Sequence, residues 1–484
     1  MSARKYGKFA ALVLPWLLLS ACTLAPRYVR PEPAVADNYP QGVAYGTDTG
    51  SQTAAADLGW RDFLGDERLQ QLVEIALRNN RDLRVAVLNV QELRAQLRIQ
   101  TAPLLPDVAV FADRSRSRTP AELSKTGAVE ELGSYTVGAS LGWEIDFFGK
   151  LRSLRAAALQ QYLASVQGRK AAQMLLVSQV ANQYLTVLAC DELLEETDRT
   201  AVAARASFDI VKLQFEVGTG SELDLRQAET VVEQANANHA AQLRARAQAG
   251  NGLVLLLGQP LPTDLQSGRR LAEQSMLEDL PAGLPSDLLI RRPDVQQSEA
   301  LLRSANADIG AARAAFFPSI DLTGTAGSAS TRLSGLFEAG SQAWSFAPAL
   351  TLPLFAGGAN IGNLDAAHVR REIAVAQYQK TVQTAFQEVA DGLAARGTFN
   401  QQIASLVRFT AAQQRRLELA QLLYINGESS YLDVLTAQTA LYDARLALVG
   451  ARLQRLQNLV DLYRALGGGW LARSGEPPPR ADTR

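Results

Sequence analysis

The sequence predicts an α+β membrane protein: an internally duplicated chain whose four strands join a β-barrel closed between chains, continued by a long α-helical coiled-coil tunnel. Three observations carry this reading. The chain is written twice. Asp82 and Pro106 stand 24 residues apart, as do Asp294 and Pro318, while Gly218, Asp224 and Leu257-Gly258 recur 209 residues later as Gly427, Asp433 and Leu466-Gly467. The first copy holds a segment of strict period-two alternation, the pattern of a strand with one apolar side. Both copies also hold a helical stretch far longer than a globular core requires. A period of about 200 residues is too long for a solenoid, whose units run about 20–50.

Bulk properties narrow the class. In 484 residues the formal charge is −1 and 47% of residues are hydrophobic, which argues against a nucleic-acid partner and against disorder over most of the chain. Two cysteines, Cys22 and Cys190, provide no disulfide framework.

Residues 1–21 read as a signal peptide: Arg4, Lys5 and Lys8 open it, an apolar run extends from Phe9 to Leu19, and Ser20-Ala21 precede Cys22. That run is too short for a permanent membrane helix. Leu19-Ser20-Ala21-Cys22 resembles the lipobox of bacterial lipoproteins. The resemblance implies that Cys22 becomes the mature N-terminus and carries N-acyl and diacylglycerol lipid; the alternative is an ordinary signal in which Cys22 is incidental. Thr23, in place of an aspartate, resembles lipoproteins sent to the outer membrane. Removal of the signal takes three basic residues and no acidic ones, moving the charge from −1 to −4. No later apolar run reaches about 18 residues without a charge, so any membrane crossing must use strands closed into a barrel.

Along the chain, residues 22–60 form an extended anchored segment rich in Pro, Gly, Ala and Thr. Residues 61–270 form the first structural repeat, 271–470 the second, and 471–484 a disordered tail. In the first repeat, helices are predicted over 66–80 and 82–102. A strand follows near 108–115, joined by an arginine-rich polar loop (Arg114, Arg116, Arg118) to the alternating strand Val137, Ala139, Leu141, Trp143, Ile145. A proline-free helix over 151–215 would be about 100 Å long. Gly218-Thr219-Gly220-Ser221 breaks it, and a return helix covers 222–257. The second repeat predicts a helix over 294–315, strands near 319–327 and 344–352, a long helix over 359–424 and a return helix. In the last, Leu435, Thr439, Tyr442, Leu446, Val449, Leu453, Leu456, Val460 and Tyr463 alternate 4-3, a coiled-coil seam. Four strands cannot close a transmembrane barrel, which needs about eight, and an open edge cannot face lipid. Strands must come from other chains, and three copies would supply about twelve, more than that minimum.

The phrase Leu284-Pro285-Ser286-Asp287-Leu288-Leu289-Ile290-Arg291-Arg292-Pro293-Asp294-Val295 resembles a hallmark of TolC-type outer-membrane factors, in particular the OprM/NodT lipoprotein branch. Trp60–Leu64, Val217-Gly218-Thr219, Phe386-Gln387-Glu388-Val389-Ala390-Asp391 and Tyr431-Leu432-Asp433-Val434-Leu435 match the same family in order. The resemblance implies a homotrimer with a twelve-stranded barrel and a helical periplasmic conduit. It further implies a tripartite efflux pump, with a periplasmic adaptor (membrane fusion) protein and an inner-membrane transporter of the RND type. A duct for type I protein secretion and a periplasmic coiled-coil scaffold without a channel are the alternatives.

A conduit performs no bond chemistry, so its sites are an anchor, a gate and a docking tip. The anchor is Cys22. The resemblance places adaptor docking at the two turns, on Val217, Gly218, Thr219, Gly427 and Ser429, and the periplasmic gate at Asp433 and Tyr424. Three copies of Asp433 around an axis would form an acidic ring that favours cations and resists full ionisation; the alternative is a first-turn acid complementing the helix dipole. Thr436 stands where some relatives carry a second aspartate. Enzyme readings find no support: no phosphate-binding glycine loop is present, and His239 and His368 lack metal-ligand spacing.

Overall fold

The computed structural model describes residues 23–45 and 54–475, apart from 264, 266–267, 278–279, 282 and 284. The signal, Cys22 and the last residues of the tail therefore lie outside the described residues. Seven principal helices and four strands follow the predicted order: α1 (Glu67–Asn79), α2 (Arg81–Thr101), β1 (Asp107–Thr119), β2 (Glu130–Glu144), α3 (Lys150–Glu216), α4 (Glu222–Leu257), α5 (Pro293–Ala314), β3 (Ser319–Ser330), β4 (Gln342–Thr351), α6 (Ala359–Ile425) and α7 (Tyr431–Ala465). None of the described helices is long and apolar enough to cross a membrane.

The chain divides into two compact units, and each draws on both copies of the repeat. One unit, built from the described residues of 23–32, 89–165 and 297–378, holds the strands. They form a single antiparallel sheet in the order β1-β2-β3-β4, so the copies join at β2–β3 while β1 and β4 are left as edges. The register sorts side chains by face. Val108, Leu141, Gly324 and Phe346 share one row, as do Val110, Ala139, Ala326 and Trp344, and Trp143, Leu322 and Pro348. The intervening rows carry Ala109, Ser140, Thr325 and Ser345, or Asp107, Gly142, Thr323 and Ala347. Through these rows one face is apolar and the other small or polar, the division of a transmembrane barrel wall. Phe111 is the large apolar residue on the second face, and the first turns polar on β3 and β4 at Ser328 and Gln342. A scaffold without a barrel has no use for such a sheet.

One correction concerns the arginines assigned to a loop. Arg114, Arg116 and Arg118 lie within β1, paired with Tyr135, Gly133 and Glu131. Charge suggested a loop, but cross-strand pairing continues through it.

In the same unit the extended arm after Cys22 lies along α5. Asn306 donates to the Pro26 carbonyl at 2.8 Å and Arg313 to that of Leu24 at 3.2 Å. The Glu299 carboxylate, almost buried, accepts from Arg30, Tyr28 and Arg303. A bulky residue in place of Gly310 would strike Ala25.

The second unit, the described residues within 33–88, 166–296 and 379–475, holds α1 and the helical hairpins. Asp66 caps α1 by accepting from the amides of Arg68 and Leu69, and also accepts from the Tyr184 hydroxyl at 3.0 Å. Here the structure explains the recurring phrases. α4 ends at Gly258 with φ +69°, and any Cβ there would sit 2.5 Å from the Asn79 carbonyl oxygen. Its counterpart Gly467, at φ +92°, faces the Arg291 carbonyl in the same way. Asn80 caps α2 through the Leu83 amide while donating to the Leu256 carbonyl at 3.0 Å. In the second copy Arg292 occupies that place and donates to the Ala465 carbonyl at 3.1 Å. The repeated signature is thus a helix-to-helix junction, where a half-length helix ends against the start of another.

α7 departs from the single predicted seam. Leu435, Val449, Leu456, Val460 and Tyr463 are buried as expected, whereas Thr439 is exposed. A second row, Val434, Ala437, Leu441, Ala444, Ala451 and Leu462, is buried too. Asn458 and Ala444 bond to Gly392 and Thr410 of α6, while Arg445 and Gln457 reach Glu196 and Asn182 of α3. α7 is therefore gripped from two sides, each with its own 3-4 spacing.

Candidate functional site: the two helical turns

The turns α3–α4 and α6–α7 share the hydrogen bonds that stop their helices. Gly218 and Gly427 adopt φ +82° and +76°. Thr219 N–H donates to the Gln214 carbonyl at 2.8 Å, and Glu428 N–H to that of Leu423 at 2.9 Å; Gly218 and Gly427 donate to Phe215 and Tyr424 at 3.0 Å each. Left-handed glycine and these two closures form a Schellman-type stop. The glycines thus end helices, and they leave the turns without bulk: a Cβ at either would meet nothing within 4 Å. Around them Val217, Leu223, Ile425 and Leu432 are exposed apolar side chains. Ser429 donates to Asp433 at 2.9 Å.

Behind the turns, Val211, Ala228, Tyr431, Val434 and Leu435 form a buried cluster that ties both hairpins together, with Phe208, Leu225 and Tyr424 packed on it. Tyr424 departs from repetition, because its counterpart is Phe215. The additional hydroxyl donates to the Gln214 side chain of the other hairpin at 2.8 Å, and the ring lies 5.3 Å from that of Tyr431. Burial raises the Tyr424 hydroxyl pKa and pushes that of Tyr431 up to about 12, so both remain protonated donors at neutral pH.

Asp433 stands at the third position of α7 and closes a capping box with Ser430. Its carboxylate accepts from the Ser430 hydroxyl at 2.8 Å, the Ser429 hydroxyl at 2.9 Å and the Ser430 amide at 3.2 Å. These donors hold its pKa below the usual carboxylate value, so within one chain it is ionised at neutral pH. Asp224 keeps part of the arrangement with Ser221, whose hydroxyl donates to its carboxylate at 2.7 Å and accepts from its amide at 3.1 Å. Helix capping alone accounts for an aspartate in both copies. Tyr424, Asp433, Ser429 and the two glycines thus gather at one tip; Cys22 lies outside the described residues.

Sequence pattern gives Arg292 and Glu388 no role of their own, though both stand in the motifs that carry the family resemblance. Arg292, with a side chain 4% exposed, binds Glu388 at 2.6 Å and Asp294 at 2.5 Å, and Arg464 adds a second contact to Glu388 at 3.2 Å. Burial opposes charge on Asp294, but the Arg292 guanidinium overrides it and lowers the pKa.

Comparison with known proteins decides the family. The profile described as "Outer membrane efflux protein" matches residues 72–259 and 284–468, once in each repeat. The chain belongs to the outer membrane efflux protein family. It is 45% identical over 473 residues to the antibiotic efflux pump outer membrane protein ArpC of Pseudomonas putida, covering 97% of each chain. Outer membrane protein OprJ of Pseudomonas aeruginosa is 43% identical over 472 residues, with 96% of each covered. The open-state outer membrane channel MtrE of Neisseria gonorrhoeae superimposes with a TM-score of 0.84 at 40% identity, covering 94% of this chain and 100% of that one. The fold is therefore that of a trimeric TolC-like channel, with four strands per chain and long helices, and the protein is an outer-membrane efflux channel subunit reaching into the periplasm.

Proposed function

We propose that three copies form the lipid-anchored exit duct of a tripartite efflux pump that passes small molecules such as drugs. A periplasmic adaptor seats on the two turns, and an inner-membrane transporter of the RND type supplies the energy. The observation that carries the duct is the sheet: one apolar and one polar face in continuous register, with both edges awaiting strands of neighbouring copies. Relatives named for antibiotic efflux and toluene efflux favour small apolar cargo. The adaptor site is supported by exposed apolar residues beside bulk-free glycines.

The gate is Asp433 with Tyr424. In favour of it stand an ionised carboxylate at the tip and a tyrosine bond that ties neighbouring hairpins and must yield if they splay. Three such carboxylates near an axis attract multivalent cations. Single-trimer conductance in planar bilayers tests this. Asp433→Ala should raise conductance or weaken block by multivalent cations; no change in either removes Asp433 from the gate, and a wild-type trimer that never conducts sinks the duct. The anchor is Cys22, supported by the arm that begins at Thr23 and is fastened along α5. Metabolic labelling with palmitate should be lost in Cys22→Ser, and label that persists there refutes the anchor.

A further inference from the structure

Arg114, Arg116 and Arg118 are not an irregular basic loop but every second residue of a strand. Side chains alternate along a strand, so the three continue the face that carries Val108, Val110 and Ala112. On β2 the same face reads Trp143, Leu141, Ala139 and Val137, then Tyr135, Gly133 and Glu131. The apolar band ends at the row Ala112–Val137. The next row pairs an arginine with an aromatic residue, and the guanidinium of Arg114 lies 5.3 Å from the centre of the Tyr135 ring. The opposite face of β1 at that height carries Asp113, Ser115 and Ser117 and no cation. A strand made soluble by charge alone has no reason to segregate it, so the arginines are matched to what the apolar face touches.

That face touches lipid, and its height is set by connectivity. The other ends of these strands lead into α2, α3, α5 and α6, the helical side of the family fold. The arginine row is at the far end, the outer-leaflet side. Charge on a lipid-facing strand costs about 2–4 kcal/mol at the midplane but about 0–1 near the interface, so the row is tolerated where headgroups begin. All three arginines are exposed, and the one carboxylate in their paired rows is Glu131, bound to Arg116 at 2.6 Å. Glu130 lies on the other face, accepting from Ser124 and Thr126. Positive charge therefore dominates, and guanidinium groups about 7 Å apart along a strand suit phosphate oxygens.

We propose that this row binds the phosphate groups of a glycolipid in the outer leaflet, fixing the height of the barrel in the membrane. The proposal depends on the barrel and not on the cargo or the gate. The test uses the full-length trimer in phosphatidylcholine nanodiscs doped with bisphosphorylated or dephosphorylated lipid A. The readout is lipid A retained per trimer after transfer to detergent, measured by mass. The wild type should retain the bisphosphorylated form selectively. The triple variant Arg114→Gln, Arg116→Gln, Arg118→Gln should lose that retention by about tenfold or more, the scale of one charge-assisted contact. Equal retention of the two forms by the wild type overturns the proposal whether or not the variant assembles. Undiminished retention by an assembled variant overturns it too, and if that variant also loses trimer stability in lipid-free detergent, the row contacts a neighbouring copy instead.

Discussion

At the scale of single residues, Arg292 is one place where the second copy differs from the first. Its counterpart Asn80 makes a neutral bond to a helix-end carbonyl, whereas Arg292 makes that bond and binds two carboxylates. Removing Arg292 leaves Asp294 without its guanidinium and Glu388 with Arg464 alone. Breaking a fully buried pair costs about 3–5 kcal/mol, and the part-exposed carboxylates here reduce that to about 2–3 kcal/mol. Arg292→Leu should therefore destabilise the protein by roughly that amount, read as a lower midpoint in urea, and Glu388→Gln in the same chain should recover part of it because the two are coupled. A loss below about 0.5 kcal/mol, the size of an ordinary surface change, would show that the cluster adds nothing. This role was not legible in the sequence. The phrase around Arg292 stood out, but the carbonyl it meets lies 173 residues away, and no local pattern encodes that distance. Asp433 was legible as a position and ambiguous as a function, since an acid three residues after a serine N-cap is what a capping box requires.

At the scale of elements, helix limits were readable to within about two residues, because left-handed glycines, Ser, Asp and Asn caps and a helix-opening proline punctuate the runs. The second contact face of α7 was not readable. It is carried largely by Ala437, Ala444 and Ala451, which add little to a hydrophobic pattern yet let α6 approach closely. The β1 arginines were misread for a related reason: charge outweighed alternation, although the period-two spacing was present. The alanine row makes its own prediction. Ala444 is 1% exposed, and its carbonyl accepts from Thr410. Ala444→Leu would force α6 and α7 apart, and overpacking of this kind costs about 1–3 kcal/mol. The thermal midpoint of the trimer should fall for Ala444→Leu and hold nearly steady for Ala444→Ser. Equal stability of the leucine variant would mean that the helices are not closely packed there.

At the scale of the whole molecule, each repeat is incomplete in two ways. Neither compact unit is made from one copy alone, and the sheet that joins the copies ends in unpaired edges at β1 and β4. Phe346, Trp344 and Leu350 on β4 are 61%, 79% and 68% exposed in the single chain. Lipid can cover such a face, but neither water nor lipid can replace strand partners along the edges inside a bilayer. Folding of the sheet and association of the chains must therefore be one event. For such a coupled system the unfolding midpoint depends on protein concentration, because dissociation accompanies unfolding. In detergent, the temperature at which the trimer band disappears should rise with concentration and coincide with the loss of β-sheet circular dichroism. A monomer that keeps its strand signal after the trimer is gone would show that four strands suffice, and the need for neighbouring copies would then have to rest on the helices.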